Sequence, residues 1–305
     1  MAIFPSRPPG GRARACALAL AAALSATALP AGATTASDLF FQRTVLRAAD
    51  QRCRLFQPEI SAALAASSLQ ARGAALRSGA DDHDLAALAG RAETRAAQVG
   101  CRTPELAQAA DQVRKAFAGY ARMTAMRFPG ELSAWQADRD PVAPVVNHRA
   151  AEGPRWRLSQ TGRWNGAGAG AVLFGLVGDN QAPAVVSETQ GGALASGAFL
   201  TVRDPAKSDA PYLNPRLHDP AMRTPPASIT RTFVAALRQT APSSLLPGNA
   251  GMVFTFPPAV AQALEALDPR EVVTVEFTYP GRPSEHAMFE VGDFAAGRAF
   301  LLAGR

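Results

Sequence analysis

The hydrophobic repeat of this chain changes period once. Between about residues 38 and 128, apolar residues recur every three or four positions, as one buried helix face requires. From Arg155 onward they alternate, as a half-buried strand requires. Neither a bundle alone nor a sheet alone satisfies both patterns. The expected fold is therefore α+β: an N-terminal three-helix bundle, then a mainly antiparallel, β-sandwich-like domain with short helices.

The helical part divides at polar segments. Leu46, Ala49, Cys53, Phe56 and Ile60 follow a 3,4,3,4 spacing and share one face, with Pro58 able to bend or interrupt that arm. SGADDHD (78–84) breaks the pattern and puts acids at the start of a second helix, in which Leu85, Leu88, Ala92 and Val99 face inward until Gly100. Thr103, Pro104 and Glu105 suit the start of a third. Its buried face is Leu106, Ala110, Val113, Phe117 and Tyr120, extended by Met123 and Met126 as core filler, and Phe128-Pro129-Gly130 ends it.

Cys53 lies 27 residues before the turn near residue 80, and Cys101 lies 21 after it. At ~1.5 Å per helical residue the two arms differ by about 9 Å, so a hairpin brings both sulfurs to its open end. A disulfide is expected. No C-x-x-C motif occurs, which argues against a redox-active pair.

Residues 1–33 have the three parts of a cleaved export signal: Arg7, Arg12 and Arg14, an apolar run of about Ala15 to Leu29, and the small residues Ala31 and Ala33 flanking Gly32. The apolar run is shorter than the ~20 residues of a membrane span. Cys16 lies at its start, away from the place of a lipid-modified cysteine. Export to the periplasm or beyond it also suits the disulfide. Removing the signal takes away three Arg and no carboxylate, lowering the formal charge from +6 to +3. That near balance, without a dense basic stripe, excludes a nucleic-acid footprint.

The expected domains are 38–130, the disulfide-braced bundle; 131–154, a linker or interdomain seam; and 155–305, the β-rich domain. RWRLS, AVLFGLV, APAVVSE and SGAFLTV read as strands, whereas SITRTFVAALRQT fits a helix or a strand. The end of the chain reads as GMVFTFP (strand), PAVAQALEAL (helix), REVVTVEFTY and HAMFEV (strands), and FAAGRAFLLA (helix) behind Asp293. Over residues 250–303 this order resembles the closing portion of secreted bacterial β-sandwich proteins of the invasion-associated locus B group. There too a strand runs into a short helix, and a last Ala/Leu helix follows a Gly-containing turn. The resemblance implies an envelope protein without established catalysis. That group carries cysteines within the sandwich, and residues 102–305 here contain none.

The stretch FPGELSAWQADRDP (128–141) carries the densest mixture of functional side chains. Glu131 and Asp138 are the candidate acid/base carboxylates, and Arg139 could hold an anion. Trp135 fits a plug at a seam, with its N–H bonded at the edge, or a partner contact. Trp156 and Trp164, beside Arg157 and Arg163, could stack on a ligand or brace a sheet edge. The four histidines, His83, His148, His218 and His286, make no metal-binding spacing, so no metal and no cofactor are expected. Ser196 lacks a G-x-S-x-G elbow, and NGAGAG (165–170) lacks the Lys and the helix of a phosphate cradle. The expected function is that of a non-enzymatic exported protein that contacts an envelope protein or cell-wall component, through the Trp135 seam and loop 204–227. The alternative is an envelope hydrolase acting on cell-wall or carbohydrate material with Asp138 or Glu131 as its acid/base group, which a deep cleft holding two carboxylates about 5–9 Å apart would favour.

Overall fold

The computed structural model describes residues 35–139, and 193–303 apart from 214–223, 243–244 and 247–249. It also describes 145–146, 149–150, 156–161, 163–165, 172–177 and 182–188. The export-signal reading of 1–33 and the NGAGAG loop beyond Asn165 lie outside these residues. Residues 34–305 form one compact unit of α+β class.

Four helices, not three, open the described chain: α1 (Ala36–Cys53), α2 (Pro58–Arg77), α3 (Asp82–Gln98) and α4 (Pro104–Tyr120). The extra break falls inside the expected first helix. Arg54 adopts the left-handed conformation (φ 52°) and caps α1, and Pro58 opens α2, where its missing N–H costs no helical bond. Asp50 holds the corner by accepting from the Phe56 N–H at 2.9 Å and the Ser61 hydroxyl at 2.5 Å. Phe56 and Ile60 therefore do not share a helix with Cys53. A 3.6-residue period that runs across a break hides the break.

Packing explains the rest of the layer. Phe40, Ala71, Ala75, Leu76 and Leu85 form one small core where α1 begins, α2 ends and α3 begins; Ala49, Ala96 and Leu106 form another near the opposite end. At that second end Arg52 donates to the carbonyls of Ala96 and Ala97 (2.8 and 3.3 Å), and also to that of Val99. Cys53 and Cys101 are joined there by a disulfide, with Cα atoms 5.5 Å apart. The expected disulfide is present, but the two-armed hairpin behind it is corrected: α1 packs against both α2 and α3, and the bond joins the C-terminal end of α1 to the turn just after α3.

The third expected helix is shortened. After Tyr120 the chain turns and forms β1 (Ala125–Pro129), antiparallel to β2 (Ala134–Arg139), with Phe128 opposite Trp135. Met123 is 39 % exposed rather than core filler, and Met126 is only partly buried. The expected linker 131–154 is likewise corrected in part, because β2 is a regular strand with alternating burial. Within the remainder, β3 (Val145–Val146) and β4 (Arg149–Ala150) pair with each other.

Ten further strands follow: β5 (Trp156–Thr161), β6 (Arg163–Asn165), β7 (Val172–Val177), β8 (Ala182–Glu188), β9 (Gly197–Arg203), β10 (Thr230–Val234), β11 (Leu237–Thr240), β12 (Gly251–Thr255), β13 (Val272–Tyr279) and β14 (Arg282–Glu290). The ambiguous SITRTFVAALRQT is thus two strands. Helices α5 (Ala259–Glu265) and α6 (Phe294–Leu302) lie where the terminal pattern puts them. One sheet has the order β1-β2-β5-β7-β8-β12-β11 and the other β10-β9-β13-β14-β6; every pairing is antiparallel. Their inner faces share one core. Phe254 meets Phe277 at 6.0 Å and Phe174 meets Phe289 at 5.1 Å between ring centroids, linking the two sheets. Each fully buried ring of this kind stabilises the fold by roughly 1.5–3 kcal/mol on area alone. Helix α6 adds Phe294 and Phe300 to the same core and packs against α2.

Candidate functional site

The stretch 128–141 resolves into structural parts. Trp135 is 1 % exposed, stacked edge-on against Phe174 and Phe294, and its Nε1–H donates to the Val291 carbonyl at 2.8 Å. It is a core residue and offers no surface to a partner. Gly292, at φ 49°, lies against the indole: a Cβ there would stand 3.3 Å from Trp135 Nε1. Both its backbone conformation and this close approach call for glycine.

Arg139 is 2 % exposed and donates to three carbonyls: Met123 (2.9 Å), Phe300 (2.9 Å) and Tyr120 (2.6 Å). Its guanidinium lies 3.9 Å from the Phe300 ring centroid and 5.0 Å from that of Tyr120. Burial lowers its pKa from the ordinary arginine range. All of this ties the end of α4, β2 and α6 together and leaves no place for an anion.

Glu131 and Asp138 are not brought together. Glu131 lies in the turn before β2 and Asp138 near the far end of that strand. Residues 134 to 138 alone span about 13 Å at ~3.3 Å per residue. The 5–9 Å spacing of a glycosidase pair is absent. Asp138 accepts from the Gln136 amide at 3.2 Å, and the backbone N–H groups of Glu131, Leu132 and Ser133 converge on the Glu290 carboxylate. Trp156 lies on β5 opposite Arg139, and Trp164 lies on β6 opposite Ala287 in the other sheet; their side chains are outside the described ones. His83 is exposed, His286 lies on β14, and His148 and His218 are outside the described residues. Among the described residues no group of three or more His, Cys, Asp or Glu side chains is arranged to hold a metal.

Three buried charge clusters escaped the sequence reading. Arg77, on α2, makes a bidentate pair with Asp293, just before α6, at 2.8 and 2.9 Å. Gly73 permits it, since a Cβ there would fall 1.9 Å from Asp293 Oδ1. Burial raises the Asp293 pKa, and Arg77 opposes the rise. Arg203 and Glu271 form a second bidentate pair at 2.8 and 2.9 Å, inside the sandwich. The third is Arg270 with Asp268, whose guanidinium also reaches the Leu76 carbonyl at 3.4 Å. These groups are consumed by one another and brace the helical layer and the loops.

The exposed chemistry lies elsewhere, at one edge of the sandwich. β10 ends one sheet and β11 ends the other, joined only by Ala235 and Ala236. All four residues of β11 are exposed. Val234 is 59 % exposed and Leu237 54 %. Between them opens a groove of about 250 Å³, floored by Ala198 and Phe254 and rimmed by Val234, Leu237 and Arg238. An open strand edge beside exposed apolar side chains is a template for another chain. Sequence patterning could have flagged only that this stretch was ambiguous.

Fold and surface together define an antiparallel β-sandwich, fronted by a disulfide-braced helical layer, with an exposed edge at β10 and β11. Compared with protein-family models, with curated proteins and with solved structures, the chain matches none. No helix among the described residues is long and apolar enough to cross a membrane.

Proposed function

We propose that this is a non-enzymatic exported protein of the bacterial envelope, periplasmic or secreted, that binds another envelope component through residues 230–240. The observation that carries this reading is the exposure of Val234 and Leu237 beside a groove on two adjoining edge strands. Side chains of that kind gain from being covered, and edge strands left open invite pairing. The disulfide supports an oxidising compartment, as does the export pattern of residues 1–33.

The test is photo-crosslinking from position 237 in the source bacterium, with an exposed helical position, His83, as the control site. Discrete adducts from 237 and none from 83, in the periplasmic or secreted fraction, are expected. Equal labelling from both positions, or recovery of the protein in the cytoplasm with its thiols free, would sink the reading.

A further inference from the structure

The chemistry of the edge narrows its partner, an inference that rests on the binding role just proposed. Residues 224–242 contain two basic side chains, Arg231 and Arg238, and no carboxylate. Arg231 lies over the Phe233 ring at 4.8 Å. Arg238 is the only charged residue lining the groove, and among the described residues its guanidinium has no ion pair. The rest of the lining is apolar or small: Phe199, Val234, Leu237 and Phe254 provide the walls and floor.

Each feature removes a class of occupant. At about 250 Å³ the groove falls below the ~300–1,000 Å³ of typical small-molecule sites, and it suits a single inserted side chain. A second copy of this chain, edge to edge, would bring four guanidinium groups together with no carboxylate from either stretch, and facing like charges are destabilising. An extended segment carrying carboxylates satisfies the backbone, the groove and the arginines at once. Main-chain pairing at an open edge supplies affinity, and alternate side chains supply selectivity.

We propose that the edge takes an extended, acidic polypeptide segment by strand addition along β11, with an apolar side chain in the groove and a carboxylate on Arg238. The partner is therefore a protein with an acidic, extended stretch rather than a glycan.

The test uses the mature, disulfide-bonded protein and three labelled decapeptides in which valine alternates with glutamate, glutamine or lysine, followed by fluorescence anisotropy at low salt. The glutamate peptide is expected to bind at least tenfold more tightly than the other two and to weaken as salt is raised. Methylating alternate backbone amides of that peptide should reduce binding at least tenfold. Arg238→Glu should do the same and turn the preference toward lysine. Because β11 is fully exposed, Arg238→Glu should keep the unfolding midpoint of the parent, which separates lost binding from lost folding. Equal binding of all three peptides, binding of none, or indifference to amide methylation would overturn the inference. So would a dimer in sedimentation that Leu237→Lys dissolves, since the occupant would then be a second copy. Adducts from position 237 without any peptide preference would overturn this inference and leave the binding role standing; absence of both would remove both.

Discussion

Replacing Arg77 while leaving Asp293 in place should be among the most damaging single changes in the molecule. The Asp293 side chain is 1 % exposed and that of Arg77 13 %, and two bonds of 2.8 and 2.9 Å join them. Arg77→Met keeps much of the apolar stem but leaves a buried carboxylate without its cation. Breaking a buried pair in this way costs about 3–5 kcal/mol, whereas replacing both partners by apolar residues removes most of that cost. The pH dependence has a definite sign. Burial raises the Asp293 pKa above its unfolded value, the charge of Glu290 adds to the rise, and Arg77 opposes it. A raised carboxyl favours the fold most when protonated, below its unfolded pKa, and that contribution is lost as pH rises through the folded value. Without Arg77 the folded pKa climbs further, so the penalty is largest at neutral pH and shrinks on acidification. Urea unfolding of the disulfide-intact protein at pH 7.5 and pH 5 measures both effects. A cost below about 1 kcal/mol, or the same cost at both values, would show that Arg77 does not neutralise a buried charge.

Two further outcomes follow from the same structure. Cys53→Ser with Cys101→Ser opens a loop of sequence separation 48 and should lower stability by about 4 kcal/mol on chain entropy alone; labelling of the unreduced, unfolded parent should find no thiol on either residue. Trp135→Ala removes an indole that is 1 % exposed and should cost about 3–5 kcal/mol in denaturant unfolding, and a loss of binding at unchanged stability would contradict its placement in the core.

The features legible in the sequence are those that local physics dictates. The change of period separates helices from strands because side-chain direction repeats every 3.6 residues in one and every two in the other. The Cys53–Cys101 bond was legible as the lone cysteine pair beyond an export pattern, although the single turn expected between its arms is two turns in the structure. From β12 to α6 the apolar strand segments and the two short helices are set apart by turn residues, and β13 alternates in burial, so the order of these elements was readable. The break at Arg54 was not, because a helical period survives a short corner. Nor was the strand character of 125–139: ARMTAMRF fits a helical face as well as a strand, and only pairing of Phe128 with Trp135 decides between them.

The candidate site moved furthest, and for one reason. Sequence lists charges and rings but not which of them lose water. Arg139, read as an anion holder, is buried under carbonyls from α4 and α6, while Asp293, read as a cap, meets a cation 216 residues away. Conversely, Val234 and Leu237, within the stretch that fitted a helix or a strand, are apolar and stand exposed. Helical or alternating character was determined within a few residues of chain. Burial was decided by the meeting of distant segments, because desolvation depends on everything that surrounds a side chain in space.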